Sequence, residues 1–178
     1  MHSVFRDPLS GLTHLIGALF AIVALCILAV QAATYGGVWH MVSFSIFGAT
    51  LFLMFASSAL YHLLHAPDHI IVWLKRLDHM AIFLLIAGSY TPFCLIPLHG
   101  PVGWGLFSAV WALALAGVFL KLFWLSAPRW LSTVVYVSMG WLIVFAIEPA
   151  IDTIPVGALW WLLYGGLAYT VGAIVYAT

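Results

Sequence analysis

The stretch LTHLIGALFAIVALCILAVQAAT, residues 12–34, holds no Asp, Glu, Lys or Arg in 23 positions. A helix of roughly 20 mostly apolar residues is long enough to cross a hydrocarbon core of about 30 Å. The stretch is longer than the roughly 7–15 apolar residues of a signal-peptide core, and further apolar runs follow it. It therefore predicts a first transmembrane helix.

Five more apolar runs follow, separated by glycine, proline and charged residues. The chain is 66% hydrophobic and 6% charged, whereas soluble domains carry about 25% charged residues. We predict an all-α, polytopic membrane helix bundle with six transmembrane helices, forming a single integral membrane domain over residues 1–178. The predicted spans are Leu12–Thr34, His40–Leu64, Trp73–Ile96, Val102–Trp124, Leu131–Ile147 and Pro155–Tyr176.

Charge and cysteine content argue against two kinds of site. The formal net charge is zero and no basic run is present, so the chain lacks the electrostatic attraction that nucleic-acid binding requires. Cys26 and Cys94 both lie in apolar runs. The sequence therefore predicts neither a disulfide framework nor a cysteine metal site.

The basic residues predict the orientation of the chain. With a cytoplasmic N-terminus, Arg6, Lys75, Arg76, Lys121 and Arg129 all fall in the inner segments. Cytoplasmic loops of membrane proteins collect lysine and arginine. We therefore expect the N-terminus in the cytoplasm.

Five polar side chains then fall near the cytoplasmic ends of the first three spans. They are His14 in the first, Ser58 and His62 in the second, and Asp78 and His79 in the third. Residues four apart on a helix lie on the same face, so Ser58 and His62 can contact the same ligand. An aspartate in a membrane helix costs roughly 3 kcal/mol on insertion scales, so we expect Asp78 to face the bundle interior.

A histidine, a serine and an aspartate at one depth suit a metal ion with a bound water, because imidazole ligates while hydroxyl and carboxylate hold the water. Zinc needs three or four protein ligands, and His14 and His79 are candidates by depth alone. His65 and His69 have the spacing of a ligand pair. We expect Pro67 between them to break the helix that would align them.

Structural roles stay open for the same residues. His14 and His62 could hydrogen-bond between helices, and Asp78 could pair with a neighbouring lysine or arginine. A catalytic triad of Ser58, His62 and Asp78 is the least favoured alternative, because a nucleophile and its base usually converge from different elements.

Several segments resemble the bacterial hemolysin III family. They are SSALYH at Ser57–His62 and LDHMAIFLLIAGSYTPF at Leu77–Phe93, with THLIG at Thr13–Gly17 and MGW at Met139–Trp141. The resemblance covers nearly the whole chain. This family is the bacterial branch of the progestin and adiponectin receptor superfamily, which is similar to alkaline ceramidases.

The resemblance implies a seven-helix bundle in the bacterial plasma (inner) membrane, with zinc near the cytoplasmic face. It places the metal ligand of the second helix on His62. It places the catalytic residues that hold the zinc-bound water on Ser58 and Asp78. The implied chemistry is hydrolysis of a lipid amide, with zinc as Lewis acid and water activator.

Two features depart from the family pattern. A seventh helix with His-x-x-x-His supplies the other two zinc ligands in the family, whereas this sequence stops at Thr178 before such a segment. We therefore expect an incomplete zinc site. Ser10 stands four residues before His14, where the family often has asparagine.

Three functions remain in view. The first is a zinc-dependent membrane hydrolase acting on lipids, and the second is a non-enzymatic, receptor-like or membrane-homeostasis protein that binds lipids. Membrane lipids are the expected partners of both. The third is a pore-forming cytolysin, which the sequence supports least. A conducting pore needs polar residues along its whole length, and the outer halves of these spans are apolar.

Overall fold

A computed structural model of the chain describes residues 5–177, with side-chain burial for residues 5–175. Every regular element in that range is helical. The helices are α1 (Pro8–Tyr35), α2 (Val38–Leu63), α3 (Asp68–Leu95), α4 (Pro101–Phe123), α5 (Arg129–Gly140), α6 (Ile147–Thr153) and α7 (Val156–Ala177), with a 3₁₀ helix (Leu142–Ala146) between α5 and α6.

Five segments of the described chain are long and apolar enough to cross a membrane: α1, α2, α4, the stretch from α5 to α6, and α7. The remaining predicted span is α3, which has 28 residues. It packs against α2, α4 and α5 and is therefore the central helix. The prediction of a polytopic helical membrane bundle is confirmed, and its central helix α3 carries four charged residues.

The first four helices pack in chain order, α1 on α2, α2 on α3 and α3 on α4. Their connections are residues 36–37, 64–67 and 96–100. Packed neighbours joined by so few residues run in opposite directions. The starts of α1, α3 and α5 and the ends of α2 and α4 therefore share one side of the bundle, named here the N-terminal face.

The fifth span is more irregular than predicted. We expected one helix over Leu131–Ile147 and then a loop, but α5 ends at Gly140 and helical structure continues to Thr153. Pro149 lies in the first turn of α6. An amide there has no partner within the helix, so proline is tolerated. The prediction of a loop from residue 148 is wrong for this reason.

Tyr90 of α3 bridges the break between α5 and the 3₁₀ helix. Its hydroxyl donates to the carbonyl of Gly140 at 2.6 Å and accepts from the amide of Ile143 at 3.2 Å. A side chain thus satisfies backbone groups at the point where the helix changes type.

The apolar core lies between α3, α4 and α5, where Phe83, Val110 and Met139 are fully buried. The outward faces of the other helices are apolar and exposed. The part of α7 that is long enough to cross a membrane has no buried residue. Such surfaces are compatible with lipid and not with water. The bundle therefore has a packed centre and a lipid-facing exterior.

Candidate functional site

The residues before α1 pair with the last turn of α2. The Asp7 amide donates to the His62 carbonyl at 2.9 Å, and the Arg6 amide donates to the Leu63 carbonyl at 3.5 Å. The Arg6 guanidinium lies 4.1 Å from the centre of the Tyr61 ring, which is a cation–π contact. These contacts fix the N-terminal segment on the end of α2.

Local sequence explains how α1 starts here. Asp7 is the N-cap and Pro8 the first helical residue, a position where the missing N–H of proline costs nothing. One turn on, Gly11 faces α2 so closely that a Cβ would collide with the Leu63 side chain. The small residue lets α1 approach the end of α2.

Asp7 also holds the imidazole of His62. Asp7 Oδ2 lies 3.0 Å from His62 Nδ1, and the side chains of Asp7 and His62 are 46% and 24% exposed. Hydrogen bonding from Ser10, first from its side chain and then from its backbone, lowers the pKa of the Asp7 carboxyl against the opposing effect of burial. The carboxylate is thus ionised at neutral pH and accepts the N–H of Nδ1, which leaves Nε2 of His62 as the free ring nitrogen.

His14 of α1 lies beside His62. The two rings are stacked, with centroids 5.9 Å apart and an interplanar angle of 15°. His14 Nδ1 lies 2.6 Å from the carbonyl of Ser10. A carbonyl only accepts, so this nitrogen carries the proton and Nε2 of His14 is also free. We call Asp7, His14 and His62 the His62 group.

The other predicted site residues do not join the His62 group. Ser58 is buried one turn before His62 on α2. Asp78 and His79 lie on α3, and the His79 carbonyl accepts the Tyr136 hydroxyl of α5 at 3.1 Å. Among the described residues no hydrogen bond or ion pair links Ser58, Asp78 or His79 to His62. Of the five predicted residues, His14 and His62 are the two whose side chains are seen in direct contact from different helices.

His65 and His69 are both exposed and residues 64–67 are not helical, so the expected break at Pro67 is confirmed. Asp7 was missed, because it lies 55 positions from His62. The only signal in the sequence was the dipeptide Asp7-Pro8, which is typical of a helix start.

The donor chemistry of His14 and His62 suits zinc in part. Each imidazole has its Nδ1 bonded to an oxygen acceptor, the usual arrangement that aims Nε2 of a zinc-ligating histidine. Zinc sites need three or four protein ligands. Within residues 5–177 no group of three or more His, Cys, Asp and Glu residues is placed to hold a metal ion. Two imidazoles fit the metal, and the ligand set stays incomplete.

A cavity of about 400 Å³ lies deeper in the bundle. It is bounded by α2, α3, α5 and α7, and its lining includes Leu51, Leu85 and Leu162 with the polar side chains of Ser89, Tyr90 and Tyr169. A second cavity of about 370 Å³ shares Gly140, Ile143, Leu162 and Gly166 with it. The walls of both cavities are mostly apolar, as in sites for apolar ligands.

Comparison with known proteins gives consistent matches over the chain. Residues 2–178 match the family described as Haemolysin-III related. Hemolysin-3 of Bacillus cereus is 42% identical over 173 residues, which are 97% of this chain and 78% of the relative. The Hemolysin-3 homolog of Bacillus subtilis (strain 168) is 42% identical over 177 residues, 99% of this chain and 82% of the relative. No solved structure matches the chain.

Proposed function

Because the chain belongs to the hemolysin III family and is a multi-pass membrane protein, we propose that it is a zinc-dependent, hydrolase-like protein that acts on membrane lipids. One observation carries the proposal. Asp7 Oδ2 lies 3.0 Å from His62 Nδ1, which is how a carboxylate orients a metal-ligating histidine.

The proposed roles divide between the His62 group and its neighbours. His62 is the metal ligand, Asp7 orients it, and His14 is a second imidazole donor. Ser58 and Asp78 would hold the attacking water, and the Asp78 carboxylate would accept its proton. Zinc, when bound, supplies a Lewis acid that polarises the lipid carbonyl. At least one further ligand must come from outside the described residues.

We further propose that the N-terminal face is cytoplasmic and that the membrane is the bacterial plasma membrane. All five basic residues lie before a helix or in the third of it nearest this face: Arg6, Lys75, Arg76, Lys121 and Arg129. The positive-inside tendency favours that orientation. The His62 group would then meet lipids of the cytoplasmic leaflet.

Zinc content per chain tests the metal proposal. We expect elemental analysis of the detergent-purified protein to find zinc in the wild type and to find it lost in His62→Ala. A zinc titration should give an affinity about 10–100-fold lower for Asp7→Asn. His65→Ala is the matched control, since it removes an exposed histidine three residues away. Loss of zinc from His65→Ala to the same extent, or no zinc in wild-type protein that also carries the further ligand, would overturn the proposal.

Lipid binding without turnover is the second candidate, and the cavity of about 400 Å³ favours it. The test is release of fatty acid from a lipid amide by zinc-loaded protein. A lipid that is retained and never cleaved would support the binding role. A pore-forming role, which the names of the relatives suggest, gains little support from these apolar walls, since conduction needs a polar path.

A further inference from the structure

Three helices meet in one layer of the core, at Phe83 of α3, Gly117 of α4 and Tyr136 of α5. A Cβ on Gly117 would collide with the Phe83 ring. The Phe83 and Tyr136 rings pack with centroids 4.4 Å apart. The glycine thus lets α4 approach α3 closely, as small residues do in membrane helices. We call these three residues the aromatic layer.

One helical turn closer to the N-terminal face, each of these helices presents a polar residue. His79, Lys121 and Ser132 each lie four positions from the member of the aromatic layer on their own helix, so they continue the same helix faces. The hydrogen bond from the Tyr136 hydroxyl to the His79 carbonyl, 3.1 Å, joins the two levels. We call these three residues the polar niche, with the aromatic layer as its floor.

The polar niche is buried and incompletely paired. Lys121 is 3% exposed and Ser132 is 2% exposed. Within the described part of the chain, His79 Nδ1 and Ser132 Oγ are buried and have no hydrogen-bond partner. Among the described residues no carboxylate forms an ion pair with Lys121, and the charge that acts on it is that of Lys75, which has the same sign.

These features define the chemistry of a missing partner. An unpaired cation and unsatisfied polar atoms among membrane helices are unfavourable until something binds them. The partner must be negative, because Lys121 and, one turn further out, Lys75 outnumber the one carboxylate whose charge acts here, that of Asp78 on the His79 ring. It must also offer oxygens to the Ser132 hydroxyl and the His79 ring. A phosphate group meets both requirements.

We infer that the polar niche binds the phosphate of an anionic lipid headgroup. Lys121 lies within one turn of the end of α4, the depth at which headgroups begin, and basic pockets between membrane helices are known to hold anionic headgroups. Free phosphate shares this chemistry, and the test below separates the two sources. The inference goes beyond the proposed hydrolase, since no member of the His62 group takes part.

The experiment counts lipids retained by the full chain after incubation with mixed vesicles of phosphatidylglycerol and phosphatidylcholine, using native mass spectrometry. The wild type should retain one phosphatidylglycerol in preference to phosphatidylcholine. Lys121→Met should weaken that binding about tenfold, the equivalent of one lost charge-assisted hydrogen bond. Lys121→Arg should keep it, and Ser132→Ala should weaken it less than Lys121→Met does.

Arg129→Gln is the matched control, because it removes an exposed basic residue at the same face. If Arg129→Gln weakens retention as much as Lys121→Met, the attraction is diffuse and the inference fails. Competition by millimolar inorganic phosphate would identify a soluble anion as a ligand, and resistance to it would identify the headgroup. If the wild type neither prefers phosphatidylglycerol nor is stabilised by phosphate, the niche is no anion site. If Lys121→Met does not fold, the retention of phosphatidylglycerol by Ser132→Ala is compared with that of Arg129→Gln instead.

Discussion

The His62 group and the polar niche lie at the same face of the bundle but differ in how their polar atoms are paired. In the His62 group each Nδ1 has an oxygen partner, and the side chains are partly exposed. In the polar niche, Lys121 and Ser132 are buried, and two polar atoms have no partner among residues 5–177. The Nδ1 atoms of the His62 group have their hydrogen bonds without any ligand. The polar atoms of the niche gain theirs only when a ligand binds. Burial without pairing therefore marks the niche, and pairing that leaves Nε2 free marks the His62 group.

Gly117→Ala should have the largest effect, because it disturbs the floor of the niche and leaves the His62 group intact. The added Cβ would collide with the Phe83 ring, and overpacking of this kind costs about 1–3 kcal/mol. The free energy of unfolding, measured by denaturant titration in mild detergent, should fall by that amount. Gly105→Ala on the same helix has open space at its Cβ and should be neutral or stabilising. Equal effects of the two variants would contradict the close contact.

Paired and unpaired hydroxyls in the bundle should respond differently to removal. Thr91 is buried and accepts a hydrogen bond from Trp111 Nε1 at 3.1 Å, so Thr91→Val should lower the free energy of unfolding by about 0.5–1.5 kcal/mol. Ser132→Ala removes an unsatisfied hydroxyl and should be neutral or stabilising in detergent free of phosphate and anionic lipid. A clear loss of stability in Ser132→Ala would mean that its hydroxyl is already paired.

Removing the carboxylate from the His62 group should have a smaller, local effect. Asp7→Asn weakens the contact with His62 while leaving the fold of α2 unchanged, so the backbone amide of residue 7 should exchange with solvent several-fold faster. Hydrogen exchange with mass spectrometry measures this directly. Asp68→Asn, an exposed carboxylate at the start of α3, is the control and should leave that exchange rate unchanged.

The smallest expected effect is a pH dependence of the same contact. The pKa of Asp7 is lowered in the folded protein, chiefly by the Ser10 side chain. Its contribution is therefore complete above the unfolded pKa of about 3.9 and is lost as the pH falls through the lowered folded value. The difference in Tm between wild type and Asp7→Asn should be constant from pH 7 to about pH 5 and vanish in stronger acid. A difference that vanished near neutral pH would implicate a different group.

The sequence predicted the membrane spans well, because a run of apolar residues such as Leu12–Thr34 is a local property. It failed where a distant side chain determines the backbone. The break at Gly140 is bridged by the Tyr90 hydroxyl from α3. No local pattern in the sequence around residue 140 predicts it. Pro149 was misread because the cost of a proline depends on which turn of a helix it occupies.

The candidate site was predicted in part for the same reason. His14 and His62 were found from depth along their helices, which the topology fixes. Asp7 could not be found, because its contact depends on how the N-terminal segment folds back on α2. The polar niche combines one residue from each of three helices, so no spacing in the sequence reveals it.

The Tyr90 hydroxyl braces the fifth span at the point where α5 gives way to the 3₁₀ helix. Its hydrogen bonds to Gly140 and Ile143 resist bending between α5 and the 3₁₀ helix. Both of these residues line both cavities. A bend at this joint would therefore reshape both cavities together, and the Tyr90 hydroxyl opposes such a bend.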